Sequence, residues 1–311
     1  MHRLARRGTA AWSAAFRLTA LTFAAASVHA QSLEPRSYSN SPVGLNFLIA
    51  GYAYSDGKLP FDPALPVADA QFHTNNGILG YVRTLDVLGK SAKVDVIVPY
   101  SAFSAHALVA GQLRHRDVSG FADPLFRLSV NFYGAPALSP KDFASYRQDL
   151  IIGASLQVST PLGQYDDTKL LNLGNNRWSF KSELGISKAW GPWILEFAPG
   201  ATFYTDDTDF NRGQTFSQAP FYSMQAHVVY SFQSGVWLAV DGTWFSGGRV
   251  SVNGVTQNNL QTNTRAGVTL ALPVDRHNSA KLYGSTGTSS RTGSGFSAIG
   301  VAWQYRWGGG F

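Results

Sequence analysis

The chain has 311 residues, of which 44% are hydrophobic, 13% aromatic and only 14% charged, and it contains no cysteine. The missing Cys excludes disulfides, Cys-ligated zinc and a lipid anchor on an N-terminal Cys. The formal charge of +6 overstates the basicity. Arg3, Arg6, Arg7 and Arg17 all fall within residues 1–30, and the remainder carries 21 basic against 19 acidic residues, a net of +2. That balance offers no electrostatic footprint for nucleic acid.

Residues 1–30 read as a secretory signal, with a basic start, an Ala/Leu/Phe-rich stretch from Leu18 to Ala26 and a small-residue exit at Val28-His29-Ala30. Arg17 shortens the apolar stretch, which argues against a permanent anchor helix. A polar leader, 31–41, precedes the first strand, and 42–311 is expected to be one domain.

From there, apolar runs of ten to fifteen residues recur between turn-rich segments, most alternating with period two, the signature of strands with one wet and one dry face. In chain order the expected strands are Val43–Tyr54, Phe72–Leu85, Lys93–Phe103, Pro124–Tyr133, Asp149–Thr160 and Arg177–Trp190. They continue with Trp193–Thr205, Pro220–Phe232, Val236–Phe245, Asn259–Leu272, Ala280–Thr288 and Gly295–Phe311. The run 104–120, with its His and Arg, is read as a loop, and so are 206–219 and 246–257.

The last run shows the pattern most plainly. Ile299, Val301, Trp303, Tyr305, Trp307 and Phe311 share one face, with Gly300, Ala302, Gln304 and Arg306 between them. A strand with lipid outside and water inside needs that pattern. The expected fold is therefore all-β: a transmembrane antiparallel up-and-down β-barrel of about 12 strands, in the bacterial outer membrane. Long and short connections alternate, placing long loops outside and short turns in the periplasm. Trp178, Trp190, Trp193, Trp237, Trp244, Trp303 and Trp307 fall near strand ends, where amphipathic rings favour the headgroup zone.

By parity, the wet face carries Lys93, Asp95, Arg127, Lys181, Glu183, Glu196, His227, Asp241, Arg265, Lys281 and Arg306. Both signs occur, which argues against a pore for anions or cations alone. Cross-strand pairs that stiffen the barrel and groups that touch solute are both expected among them. Tyr52, Tyr54, Tyr81, Tyr204 and Tyr283 also fall on or near the inner face, where rings could stack on a flat solute. Asp206, Asp207 and Asp209 could offer oxygen ligands to a divalent cation, but without Ca²⁺-loop spacing and its Glu they read as a solvated acidic loop.

No catalytic group is expected. His227 with Ser223 or Ser231 is the sole seed for nucleophilic catalysis, and each Ser lies about 13 Å away along a strand. No metal or cofactor is implied.

Several strings carry a family resemblance: Ser41–Tyr54 (SPVGLNFLIAGYAY), Pro161–Asp166 (PLGQYD), Leu173–Lys181 (LGNNRWSFK) and Ser187–Trp193 (SKAWGPW). Leu270–Ser279 (LALPVDRHNS) and Gly300–Trp307 (GVAWQYRW) extend it to the C-terminus. Together they resemble the outer-membrane transporter family named for the meta-pathway of phenol degradation. The resemblance implies a barrel for uptake of aromatic or other hydrophobic compounds and supplies no site residues. The expected function is passive uptake of small organic solutes through a narrow lumen that loops or the 31–41 leader could partly occlude, with outer-membrane lipid and the assembly machinery as partners. The alternative is a plugged structural or surface-binding barrel. Phe311 is expected to act as the assembly signal.

Overall fold

The structure, a computed structural model, describes residues 34–58, 67–109, 111–169, 171–233, 235–291 and 295–310. The signal segment 1–30 and Phe311 lie outside these residues. Twelve strands close into an antiparallel barrel: β1 (Leu45–Lys58), β2 (Val67–Val87), β3 (Lys90–Val109), β5 (Leu125–Tyr133), β6 (Leu150–Ser159), β7 (Ser179–Trp190), β8 (Trp193–Tyr204), β11 (Phe221–Ser231), β12 (Trp237–Gly247), β15 (Gln261–Pro273), β16 (Asn278–Ser290) and β17 (Phe296–Gly308). Closure runs through β1 and β17, from Leu45↔Gly308 to Gly57↔Phe296. A closed ring leaves no strand edge unpaired, which a hydrocarbon environment demands.

Side-chain alternation divides this wall. Outward-pointing Leu128, Val240 and Ile299 are 49%, 57% and 67% exposed in the isolated chain, because lipid is the phase that covers them. Trp303 and Tyr305 continue the outward stripe of β17. Among the described residues no helix is long and apolar enough to cross a membrane; the strands do the crossing.

Tight turns join the strands at the end that carries Leu45 and Gly308. The β7–β8 turn places Gly191 at φ +57° before Pro192, the primed-turn geometry that matches strand twist and favours Gly in its first central position. A longer connection, 134–149, carries one helical turn, Pro140–Phe143, capped by Ser139.

Three expected loops at the opposite end contain strands. β4 (Gln112–Phe121) pairs with the upper half of β3, from Tyr100↔Phe121 to Val109↔Gln112, while β5 takes the lower half. Thus 104–120 is a hairpin rather than a loop. It stands beyond the bilayer, where no lipid imposes apolar alternation, so Arg114, His115, Arg116 and Asp117 can occupy a strand. Likewise β9 (Asp207–Phe210), β10 (Gln214–Gln218), β13 (Val250–Val252) and β14 (Val255–Thr256) form a small sheet. Its core is Phe210, Phe216, Val250 and Val252.

Asp207 is not solvated: it is 2% exposed and accepts from the Tyr165 hydroxyl (2.6 Å) and Asn176 Nδ2 (2.8 Å). Asp123 does similar work beside it, accepting from the Gly163 and Asn175 N–H groups. Together the two carboxylates tie the 160–178 strap across the outer mouth. Burial raises the Asp123 pKa, which the N–H donors partly offset.

Candidate functional site

The site is the lumen, and the leader occupies its lower part. Residues 35–38 make a tight turn inside the barrel, with the Ser39 N–H donating to the Arg36 carbonyl at 3.2 Å. Several of its polar groups meet wall residues. Glu34 pairs with Arg127, which also donates Nε to Asp95 at 2.6 Å. Lys93 Nζ donates to the Ser37 carbonyl at 2.9 Å, and Asn131 Nδ2 to the Tyr38 carbonyl at 2.9 Å. The Arg36 N–H donates to Glu196 at 2.5 Å, and its guanidinium lies 5.6 Å from the Trp237 ring centroid.

Tyr38 is the leader's anchor. Its hydroxyl donates to Glu183 Oε1 and lies 3.1 Å from Ser155 Oγ. The ring rests on wall positions that carry no side chain: a Cβ at Gly185 would overlap it, and one at Gly153 would come within 2.8 Å. Glu183 in turn accepts from Lys181 (2.9 Å) and Gln225 (3.1 Å). Sequence reasoning offered the leader as a partial occlusion of the lumen but named no wall partners for it. Its signal was charge and an aromatic ring, Glu34, Arg36 and Tyr38, ahead of the first strand.

The remaining inward groups form smaller units. His227 Nδ1 lies 2.7 Å from Asp241 Oδ1, and Thr269 donates to Asp241 Oδ2 at 2.9 Å. His227 therefore bonds Asp241 rather than Ser223 or Ser231. Lys281 Nζ lies 5.7 Å from the Trp237 centroid. Arg265 donates to the Phe296 carbonyl and to Ser285 Oγ. Arg306 sits at the strand terminus, its Nε donating to the Arg276 carbonyl at 2.5 Å, and is not among the cavity-lining groups.

Above the leader a cavity of about 610 Å³ remains. On β1–β3 Phe47, Ile49, Ile78, Ile97 and Phe103 alternate with Thr74, Asn76, Lys93, Asp95 and Ser101; Arg127, Lys181, Arg265 and Gln157 face it from other strands together with Leu125, Tyr283 and Phe296. Arg177 lines its outer end, stacked 4.4 Å from the Tyr204 centroid. Burial lowers the Arg177 pKa to about 10, which still leaves it cationic at neutral pH.

Three tyrosine placements differ from the parity reading. Tyr52 and Tyr54 point outward, 47% and 39% exposed, and Tyr81 bonds Asn46 on the same outer face. Tyr204 and Tyr283 do line the cavity. β1 is apolar on both faces, so alternation gives its pattern no sign. Trp237 was expected in the headgroup zone but pairs with Ser231 on the inward face, where it receives two cations.

The family model described as "Putative MetA-pathway of phenol degradation" matches residues 55–305. The chain belongs to this family. Among solved structures, the COG4313 outer membrane channel from Pseudomonas putida F1 is 20% identical, with a TM-score of 0.77 over 89% of this chain and all of that one. The β-domain of the Bordetella autotransporter BrkA is 8% identical, with a TM-score of 0.49 over 85% of this chain and all of that domain. No curated protein matches the sequence. The family member studied here is a bacterial outer-membrane β-barrel.

Proposed function

We propose that this family member is a channel for passive uptake of small organic compounds, aromatic or hydrophobic in character. The observation that carries the reading is the cavity of about 610 Å³, lined by apolar and aromatic groups interspersed with polar and charged ones. Such a surface suits a solute with an apolar body and one or two polar groups. The ion pairs fix the bore, aromatic rings offer weak contacts, and the leader restricts flow toward the periplasm. Lys93, Asp95, Arg127, Lys181, Glu183 and Glu196 hold the leader or brace what holds it, Lys281, His227 and Asp241 shape the lower wall, and Arg265 shapes the wall above.

The leader's many bonds also favour a second reading, a permanently plugged barrel with a structural or surface-binding role. Proteoliposome uptake separates the two. Vesicles carrying the protein should take up catechol and similar phenolics faster than protein-free vesicles. Equal rates across several such solutes would leave the plugged barrel standing.

Phe311 is proposed to serve the assembly machinery rather than transport. Its deletion should lower barrel insertion and leave flux per inserted barrel unchanged; altered flux per barrel would contradict that role.

A further inference from the structure

We infer that the upper lumen holds a site for an anionic aromatic molecule, an arene carboxylate, built from Phe103, Phe72, Phe296 and Arg265. The inference rests on the uptake reading and narrows its solute class.

Three rings from three strands meet in one row along the cavity. The Phe72 ring lies 6.1 Å from Phe103, tilted by only 22°, and 5.8 Å from Phe296, nearly edge-on at 68°. Phe72 and Phe296 sit on either side of β1 and both pair with Gly57. With no side chain at Gly57 the two rings touch across the strand, and a Cβ there would overlap Phe296. The row ends on a charge: Arg265 Cζ lies 3.9 Å from the Phe296 ring centroid.

That charge has no counter-ion among the described residues. Arg265 is 3% exposed, and its two hydrogen bonds go to neutral acceptors, the Phe296 carbonyl at 3.0 Å and Ser285 Oγ at 2.8 Å. A guanidinium carries five donors in a fixed fork, so it retains capacity for a carboxylate. The acids that line the same cavity are committed elsewhere. Glu34 and Asp95 are bound to Arg127, and Asp123 accepts from Gly163 and Asn175.

Arg177 repeats the arrangement at the outer end. It stacks on Tyr204 and Phe216, and among the described residues it bonds the neutral Gln218 side chain and leaves its buried Nη1 without a partner, while Asp207, Asp206 and Asp123 favour its charge from a distance. A cavity that keeps the Arg265 guanidinium buried against an aromatic ring, with no carboxylate partner among the described residues, is suited to a ligand that brings both a ring and a negative charge. The ring would extend the aromatic row, and the carboxylate would take the fork of Arg265 in bidentate fashion. A neutral phenol could make only the first of these contacts.

Fluorine NMR titration of the purified protein in detergent tests this, using ring-fluorinated phenylacetate and the matching neutral phenylethanol. The native protein should bind the acid about tenfold more tightly than the alcohol. Arg265→Gln should bring the acid down to the alcohol's level and leave the alcohol within about twofold. Arg265→Lys should retain part of the preference, and Phe296→Ala should weaken both ligands. Equal affinity for acid and alcohol in the native protein, or an equal change of both in Arg265→Gln, would overturn the site. If Arg265→Gln does not fold, the native comparison and Arg265→Lys still decide. Binding is read here without flux. Failed uptake in vesicles would sink the channel reading alone, and intact uptake without acid preference would sink this site alone.

Discussion

Tyr38 and Gly185 show how single residues decide what the lumen can pass. The ring fits because the wall beneath it has no side chain, and the hydroxyl adds bonds to Ser155 and Glu183. Gly185→Val should therefore act on the leader and not on the barrel, since β-branched residues suit strands. The expected outcome is an intact barrel with higher single-channel conductance; unchanged conductance would show that the leader tolerates the intrusion. Tyr38→Ala should have the same effect from the leader's side. Arg127→Gln leaves Glu34 and Asp95 facing each other without their shared cation. Removing one partner of a buried pair costs about 3 kcal/mol, so the heat-induced unfolding midpoint should fall and the leader should become protease-sensitive.

At the scale of elements, what was legible depended on what solvent each face meets. Strands between lipid and water must alternate, and β11, β12 and β15 could be found within two residues at each end. Their wet faces put His227, Asp241 and Arg265 inward, where the structure has them. β1 could be found but not oriented, because Phe47 and Ile49 face the lumen while Leu48 and Tyr52 face lipid. β4 was illegible for the opposite reason: with water on its surroundings, nothing enforced a pattern. The leader's place depended on partners from β3, β5, β7 and β8, which no local pattern encodes.

The β7–β8 ladder carries its own break. Pairing stops at Glu183↔Gly200 and resumes at Ile186↔Phe197, beside Pro199, which has no N–H to donate. Pro199→Ala supplies that donor. Amide exchange near Leu184 and Gly185 should slow, with stability rising by about 1 kcal/mol; faster exchange there would show that the break has another cause.

The whole molecule combines a closed wall, a strapped outer mouth and a latched leader around one cavity. The wall gives residence in the outer membrane. The leader and strap decide how much of the cavity is continuous with either side, which is why a barrel with this many lumen ion pairs can still be read as a channel. The most direct measurement is catechol uptake into proteoliposomes carrying the native protein, the Gly185→Val variant or no protein. The account predicts uptake above protein-free vesicles for the native chain, and a further severalfold rise when the Tyr38 seat is filled. Native and variant vesicles both matching the protein-free rate would contradict it and leave a plugged barrel.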